Sequence, residues 1–123
     1  MKLQPKDKKQ LLKAALGEIP SDLLIKHVQL VNVITGEIYP ANVFVYDGMI
    51  AHVEYKNLDA DLDKAATVVD GQGHYLIPGF LDAHEHIESS MMTPRNFAKA
   101  VLPHGTTTVI TDPHKFANVW GME

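Results

Sequence analysis

The sequence predicts an α/β protein made of two unlike parts, and three observations predict it. Across residues 23–69, β-branched and apolar residues alternate with period two, and Asp47-Gly48 sits between two apolar runs. Behind a Thr93-Pro94 start, Phe97, Ala98, Val101 and Leu102 recur at helical spacing. Apolar strand-like runs flank that helix at residues 74–83 and 106–111. Strand, helix and strand in that order make a βαβ unit, whose two strands run parallel. The expected domains are therefore residues 1–75, a helix followed by an antiparallel β portion, and residues 76–123, the βαβ unit.

The composition suits such a chain. It has 123 residues, enough for one domain or parts of two, with 46% hydrophobic and 21% charged residues. That excludes a disordered or low-complexity chain. The formal net charge is -4, so no overall basic field attracts nucleic acid. No cysteine is present, which removes disulfides, thiolate nucleophiles and cysteine-ligated metals. The charged first nine residues lack an apolar run behind them, and no stretch has the ~18 apolar residues of a membrane span. A soluble, cytoplasmic protein is the expectation.

Taken in order, residues 7–16 read as a helix, with Asp7 as N-cap, Leu11, Leu12, Ala15 and Leu16 on one face, and Gly17 as its stop. Its lysines read as a solvated face. Residues 23–25 and 28–34 are strand-like, with a turn at Thr35-Gly36. Residues 43–46 and 49–53 form a hairpin about Asp47-Gly48, because both turn residues tolerate positive φ. Residues 57–64 are a polar loop, and 67–69 a short strand closed by Asp70-Gly71. Val31, Val33, Val43, Val45 and Ile50 are the candidate core of this half. Beyond it come the strand 74–83, with Pro78-Gly79 inside it, the helix from Pro94, a stop at Pro103-His104-Gly105, the strand 106–111 and a helical pattern at 116–120.

Four of the seven histidines fall within residues 84–114. The sharpest group is Asp82-Ala83-His84-Glu85-His86. Residues i and i+2 of a strand share a face, roughly 6.7 Å apart. His84 and His86 can thus hold one metal ion together, or be ordinary exposed histidines at a strand end. They lie at the carboxyl end of an apolar strand, the edge where parallel α/β sheets keep their active sites. Glu85 has the opposite parity and should point to solvent. Glu88 shares the histidines' parity if the strand continues, which leaves a substrate or ligand-shell contact, a cap or a solvated carboxylate. Ser89 and Ser90 read as loop serines bonded to backbone or water. Asp112 and His114 end the second strand at the same edge; Asp112 either joins the site or caps a helix beginning at Pro113. His104 suits a helix carboxyl end. His27, His52 and His74 carry no assigned role.

Residues 79–91, Gly-Phe-Leu-Asp-Ala-His-Glu-His-Ile-Glu-Ser-Ser-Met, resemble the first barrel strand of the metal-dependent amidohydrolase superfamily. The segments Thr93-Pro94-Arg95-Asn96-Phe97-Ala98, Leu102-Pro103-His104-Gly105-Thr106-Thr107-Thr108-Val109, Asp112-Pro113-His114 and Ala117-Asn118-Val119 narrow the resemblance to the adenine deaminase family. Glu85 stands where that family commonly has an apolar residue, and Lys115 where an acidic one is common. The resemblance implies the start of a (β/α)8 amidohydrolase barrel, preceded by part of a small β-sandwich. It implies His84 and His86 as metal ligands and a binuclear manganese or iron site, while Glu88, Asp112 and His114, from their places at the strand ends, are the catalytic candidates. The implied reaction is hydrolysis of adenine, the small-molecule partner, to hypoxanthine and ammonia; no nucleic-acid or membrane partner is implied, and homo-oligomer formation stays open.

Such a barrel takes about 250 residues. The 50 residues after Gly73 hold two strands of eight. The resemblance is therefore to an amino-terminal fragment, inactive alone, with the remaining ligands on later strands. Another amidohydrolase acting on a cyclic amide or amidine, and a non-catalytic fragment, are the alternatives.

Overall fold

Asp7 opens the first helix, α1 (Lys8–Ala15), in a computed structural model that describes residues 7–59, 64–112 and 114–121. Residues 1–6, Pro113 and the middle of the polar loop, residues 60–63, lie outside the described residues. The Asp7 carboxylate accepts the N–H groups of Lys9 and Gln10 at 2.8 and 3.3 Å. At the other end Gly17 takes φ 71°. Its N–H reaches the Ala14 carbonyl while Glu18 reaches Lys13, a Schellman stop. The buried residue of α1 is Ala14, and Leu12 and Leu16 are exposed, so the helix is turned from the expected face. The helix packs against β3 and β2, described next, and that contact sets the rotation.

The first unit ends at Ile77. It is a sheet of β1 (Ser21–Asn32), β2 (Glu37–Tyr46), β3 (Met49–Glu54), β4 (Ala65–Asp70) and β5 (Tyr75–Leu76). The strand order is β3-β2-β1-β4, with β5 also on β1. β1, β2 and β3 pair antiparallel, and Asp47 (φ 48°) and Gly48 (φ 72°) turn the hairpin as expected. β4 and β5 pair with β1 in parallel, so the sheet is mixed rather than wholly antiparallel. Between Glu54 and Ala65 the chain crosses to the far flank of β1, which reverses the sense of the pairing.

Strand β1 stops at Asn32 rather than Ile34, because the Asn32 side chain accepts the N–H groups of Ile34 and Thr35. Those donors are lost to the ladder, and Val33 and Ile34 face solvent. Ile50 is exposed too, while Val31 and Val45 are half-buried. The core lies instead at Leu24, Val28, Ala41, Val43 and Phe44. Ala41, Asn42, Val43 and Phe44 are buried in succession, so both faces of β2 are covered there and period two fails.

A bulge organises this core. Lys26 and His27 of β1 together oppose Asn42 of β2, and His27 takes φ 55°. On the other flank Gly71 and Gly73 donate to the carbonyls of Lys26 and His27 at 2.8 and 2.7 Å. A Cβ at Gly71 would overlap Val28, so glycine is required where this loop crosses the bulge.

The second unit begins at Pro78. The single strand expected over 74–83 is two strands, broken at Pro78-Gly79. β5 belongs to the first sheet, and β6 (Phe80–Glu85) starts a second one. Strand β6 pairs in parallel with β7 (Thr106–Thr111), and α2 (Pro94–Val101) connects them. Thr93 caps α2, accepting the Asn96 N–H at 3.4 Å, with Pro94 at the first position. Gly105 (φ 91°) ends the 3-10 turn after it, and its carbonyl accepts the Phe80 N–H. Gly79 lies so close to β7 that a Cβ there would overlap Thr107. A last helix, α3 (His114–Trp120), follows. Among the described residues no helix is long and apolar enough to cross a membrane.

Candidate metal centre

The register of the second sheet decides what meets at its edge. Glu85 lies opposite Thr111, so the carboxyl ends of β6 and β7 are level. The chain leaving β6 carries His86 and that leaving β7 carries Asp112 and His114. All emerge side by side, at the edge where parallel α/β sheets bind ligands.

Three imidazoles gather there. The His84 and His86 ring centroids are 5.0 Å apart, and those of His86 and His114 are 5.8 Å apart. The strand ends at Glu85, and a 3-10 turn (Ile87–Ser90) takes over. Glu88 therefore reaches the histidines through that turn and not by strand parity. Ile87 is buried beneath the turn, and the Ser90 hydroxyl donates to the Ile87 carbonyl. Met91 then leaves in the left-handed region at φ 57°.

The Glu88 side chain is only 6% exposed. Neither of its oxygens has a hydrogen-bond partner among the described residues, and the Thr111 hydroxyl is likewise buried and unpartnered. His86 Nδ1 lies 3.9 Å from Glu88 Oε1, too far for a hydrogen bond. A charge buried without compensation costs on the order of several kcal/mol. A cation relieves that cost, and donor atoms of His86, Glu88 and His114 lie within 4.8 Å of one another. Two imidazoles and a carboxylate are a fitting donor set for a divalent transition ion. His84 stands next to this group without belonging to it.

Asp112 Oδ2 lies 3.0 Å from His114 Nδ1. Its carboxylate engages the imidazole. A carboxylate only accepts, so Nδ1–H donates to it and Nε2 is the ring nitrogen left over. Glu85 departs from the expected solvent-facing carboxylate. It is half-buried, and its Oε1 accepts the backbone N–H of His86 at 2.9 Å. Asp82 does the same for the N–H of His84 at 3.1 Å. His104 and Lys115 are exposed, and His104 is not part of this donor group.

The sequence points to His84 and His86 as metal ligands, with further ligands on later strands, and the structure gathers His86 with Glu88 and His114. The signal for a larger group was the i, i+2, i+4 series His84, His86, Glu88, joined to Asp112-x-His114 at a neighbouring strand end.

Residues 75–122, which contain all of these side chains, match the amidohydrolase family. Sequence relatives extend the match over nearly the whole chain. The adenine deaminase of Moorella thermoacetica is 46% identical over 94% of this chain and 19% of its own length. That of Kosmotoga olearia is 47% identical over 92% of this chain and 18% of its own. Residues 75–122 form an amidohydrolase-family segment. Its resemblance to that family, read from residues 79–119, is borne out. Among solved structures, the L-hydantoinase (dihydropyrimidinase) of Arthrobacter aurescens superposes with a TM-score of 0.59 at 25% identity, covering 76% of this chain and 21% of that one. This chain thus spans about a fifth of the length of the curated relatives it matches.

Proposed function

We propose that this chain supplies the first barrel segment of a metal-dependent aminohydrolase converting adenine and water to hypoxanthine and ammonia. The observation that carries the reading is the convergence of His86, Glu88 and His114 at one strand edge. It occurs in a chain about 46% identical to adenine deaminases over nine-tenths of its length.

In this reading His84, His86, Glu88 and His114 hold divalent ions, manganese or iron, as a pair completed by ligands outside this chain. Such ions supply Lewis-acid activation of the water that attacks the purine C6. The chain's own residues position that chemistry. Asp112 engages His114 Nδ1 and so leaves Nε2 as the ring's remaining donor atom. Glu85 and Asp82 fix the backbone on which His86 and His84 stand. The 3-10 turn buries Glu88 away from solvent, so its charge is directed at a cation. In this reading the enzyme works in the cytoplasm.

The hydantoinase likeness favours a second reading, hydrolysis of a cyclic amide. It rests on 25% identity, against about 46% for the adenine deaminases. The complete gene product, assayed with adenine, hydantoin and dihydropyrimidine, separates the two. Adenine turnover that is lost together with bound metal in His86→Ala supports the proposal. Turnover of the cyclic amides alone overturns it.

A further inference from the structure

We propose that the first unit carries a small-molecule site of its own, between the C-terminal turn of α1 and the β2–β3 hairpin, which takes a neutral, planar nitrogen heterocycle. The choice of adenine as the member of that class to test rests on the proposed function. The site itself uses none of the metal-centre residues.

The sequence makes room there. α1 packs on β3 and β2, and its last residues, Ala14 and Ala15, end at Cβ before the chain turns at Gly17. Between this end of the helix and the hairpin lies a cavity of about 260 Å³. Ala15, Ile19 and Phe44 form apolar walls, and His52, Glu54 and Lys64 line the rest. The volume falls below the roughly 300–1,000 Å³ of drug-sized ligands and suits a ring system of about ten non-hydrogen atoms.

The walls select the chemistry. Phe44 and His52 are partners across the β2–β3 ladder, with ring centroids 5.9 Å apart and planes inclined at 38°. Two rings on one wall offer a planar ligand a face to stack on. His52 and Glu54 are two apart on β3 and share its face. Glu54 Oε1 accepts the N–H groups of Lys56 and Asn57 at 2.6 and 3.0 Å. Oε2 faces His52 Nε2 at 3.6 Å, beyond hydrogen-bond length, so a ligand N–H has an anionic acceptor to reach.

The charges argue for a neutral ligand. Lys64 Nζ stands 3.8 Å from where a Cβ on Gly17 would lie, so an ammonium lines the α1 side. One carboxylate and one ammonium share the lining, and a charged ligand gains from one what it loses to the other. A neutral ring with an N–H donor on one edge and an acceptor nitrogen on another meets both. Nucleobases have that pattern.

The test is titration of the isotope-labelled 123-residue chain with adenine in the presence of a chelator, followed by the amide and imidazole NMR signals. Saturable shifts are expected at Ala15, Phe44, His52 and Glu54, with a dissociation constant on the order of 0.1–1 mM. Ala15→Leu, which fills the cavity, should weaken binding at least about tenfold. Glu54→Gln keeps the shape and removes the charge, and should weaken it about fivefold or more. Benzoate and benzylammonium, aromatic but charged, should bind at least about tenfold more weakly than adenine. Should Ala15→Leu fail to fold, Glu54→Gln decides.

Shifts confined to the second unit overturn the proposal, as does the lack of saturable shifts up to the solubility of adenine. Unchanged affinity in both variants, or a charged compound bound as tightly as adenine, overturns it too. The functional reading fails separately. Adenine turnover by the complete protein without these shifts sinks only this site. The shifts without adenine turnover sink only the substrate of the metal centre.

Discussion

Asn42 Oδ1 accepts the backbone N–H of His27 at 2.9 Å, while Asn42 Nδ2 donates to the Leu58 carbonyl at 2.7 Å. One fully buried side chain thus satisfies the bulge in β1 and ties the loop after β3 to the sheet. Backbone groups left unpaired inside a core are costly. Asn42→Leu keeps the volume and removes both bonds. The expected loss is about 1–3 kcal/mol for each buried group left unsatisfied, read by urea denaturation. A variant as stable as the parent would show that water replaces both bonds.

Gly79 and Thr107 make a second test. Gly79→Ala should destabilise the second unit by about 1–3 kcal/mol through overpacking against β7. The double variant Gly79→Ala/Thr107→Ala should recover part of that loss, because it removes the overlapping hydroxyl and methyl. Additive losses in a double-mutant cycle would place the strain elsewhere.

The first unit should weaken in acid through two carboxylates. Asp70 is held below its ordinary pKa, first by the Gln72 N–H and then, against desolvation, by His27 and Lys26. Glu54 is lowered chiefly by the N–H groups of Asn57 and Lys56. A carboxylate depressed in the folded state stabilises above its unfolded pKa, and that contribution is lost as pH falls through the folded one. Asp70→Asn should therefore be less stable than the parent near neutral pH. The difference should vanish at a pH below the carboxylate range. Denaturant melts at both pH values check the sign; a gap that widens in acid contradicts it.

Protection should differ between the units. The first buries Leu24, Val28, Ala41, Val43 and Phe44, whereas Ile87 is the only buried hydrophobic residue among those described in the second. Phe80, Leu81 and Ile110 are more than half exposed on a two-stranded sheet. Each large apolar side chain left in water forfeits roughly 1.5–3 kcal/mol of burial. Amides of β7 should exchange faster than those of β1 and β2 in native-state hydrogen exchange on the isolated chain. Equal protection of both sheets would make the second unit stable by itself.

The local features were legible in the sequence because neighbouring residues fix them. Asp7 and Gly17 bound α1, Asp47-Gly48 turns the hairpin, and Thr93-Pro94 starts α2, each through backbone preferences within a few residues. The βαβ order follows from the pattern, and with it the shared edge of His86, Asp112 and His114. Tertiary structure decided the rest. The chain crossing after Glu54 makes β4 parallel, and the packing of α1 selects Ala14 over Leu12 and Leu16. The break at Pro78-Gly79 gives one apolar run to two sheets. Glu88 shows the physical reason most plainly. Strand parity predicts its direction only while the strand lasts, and the strand ends at Glu85. Beyond that point the 3-10 turn over Ile87 sets where the carboxylate goes, and its burial next to His86 and His114 depends on β7 lying level with β6. That register is a contact between residues some 26 positions apart, which no local sequence preference encodes.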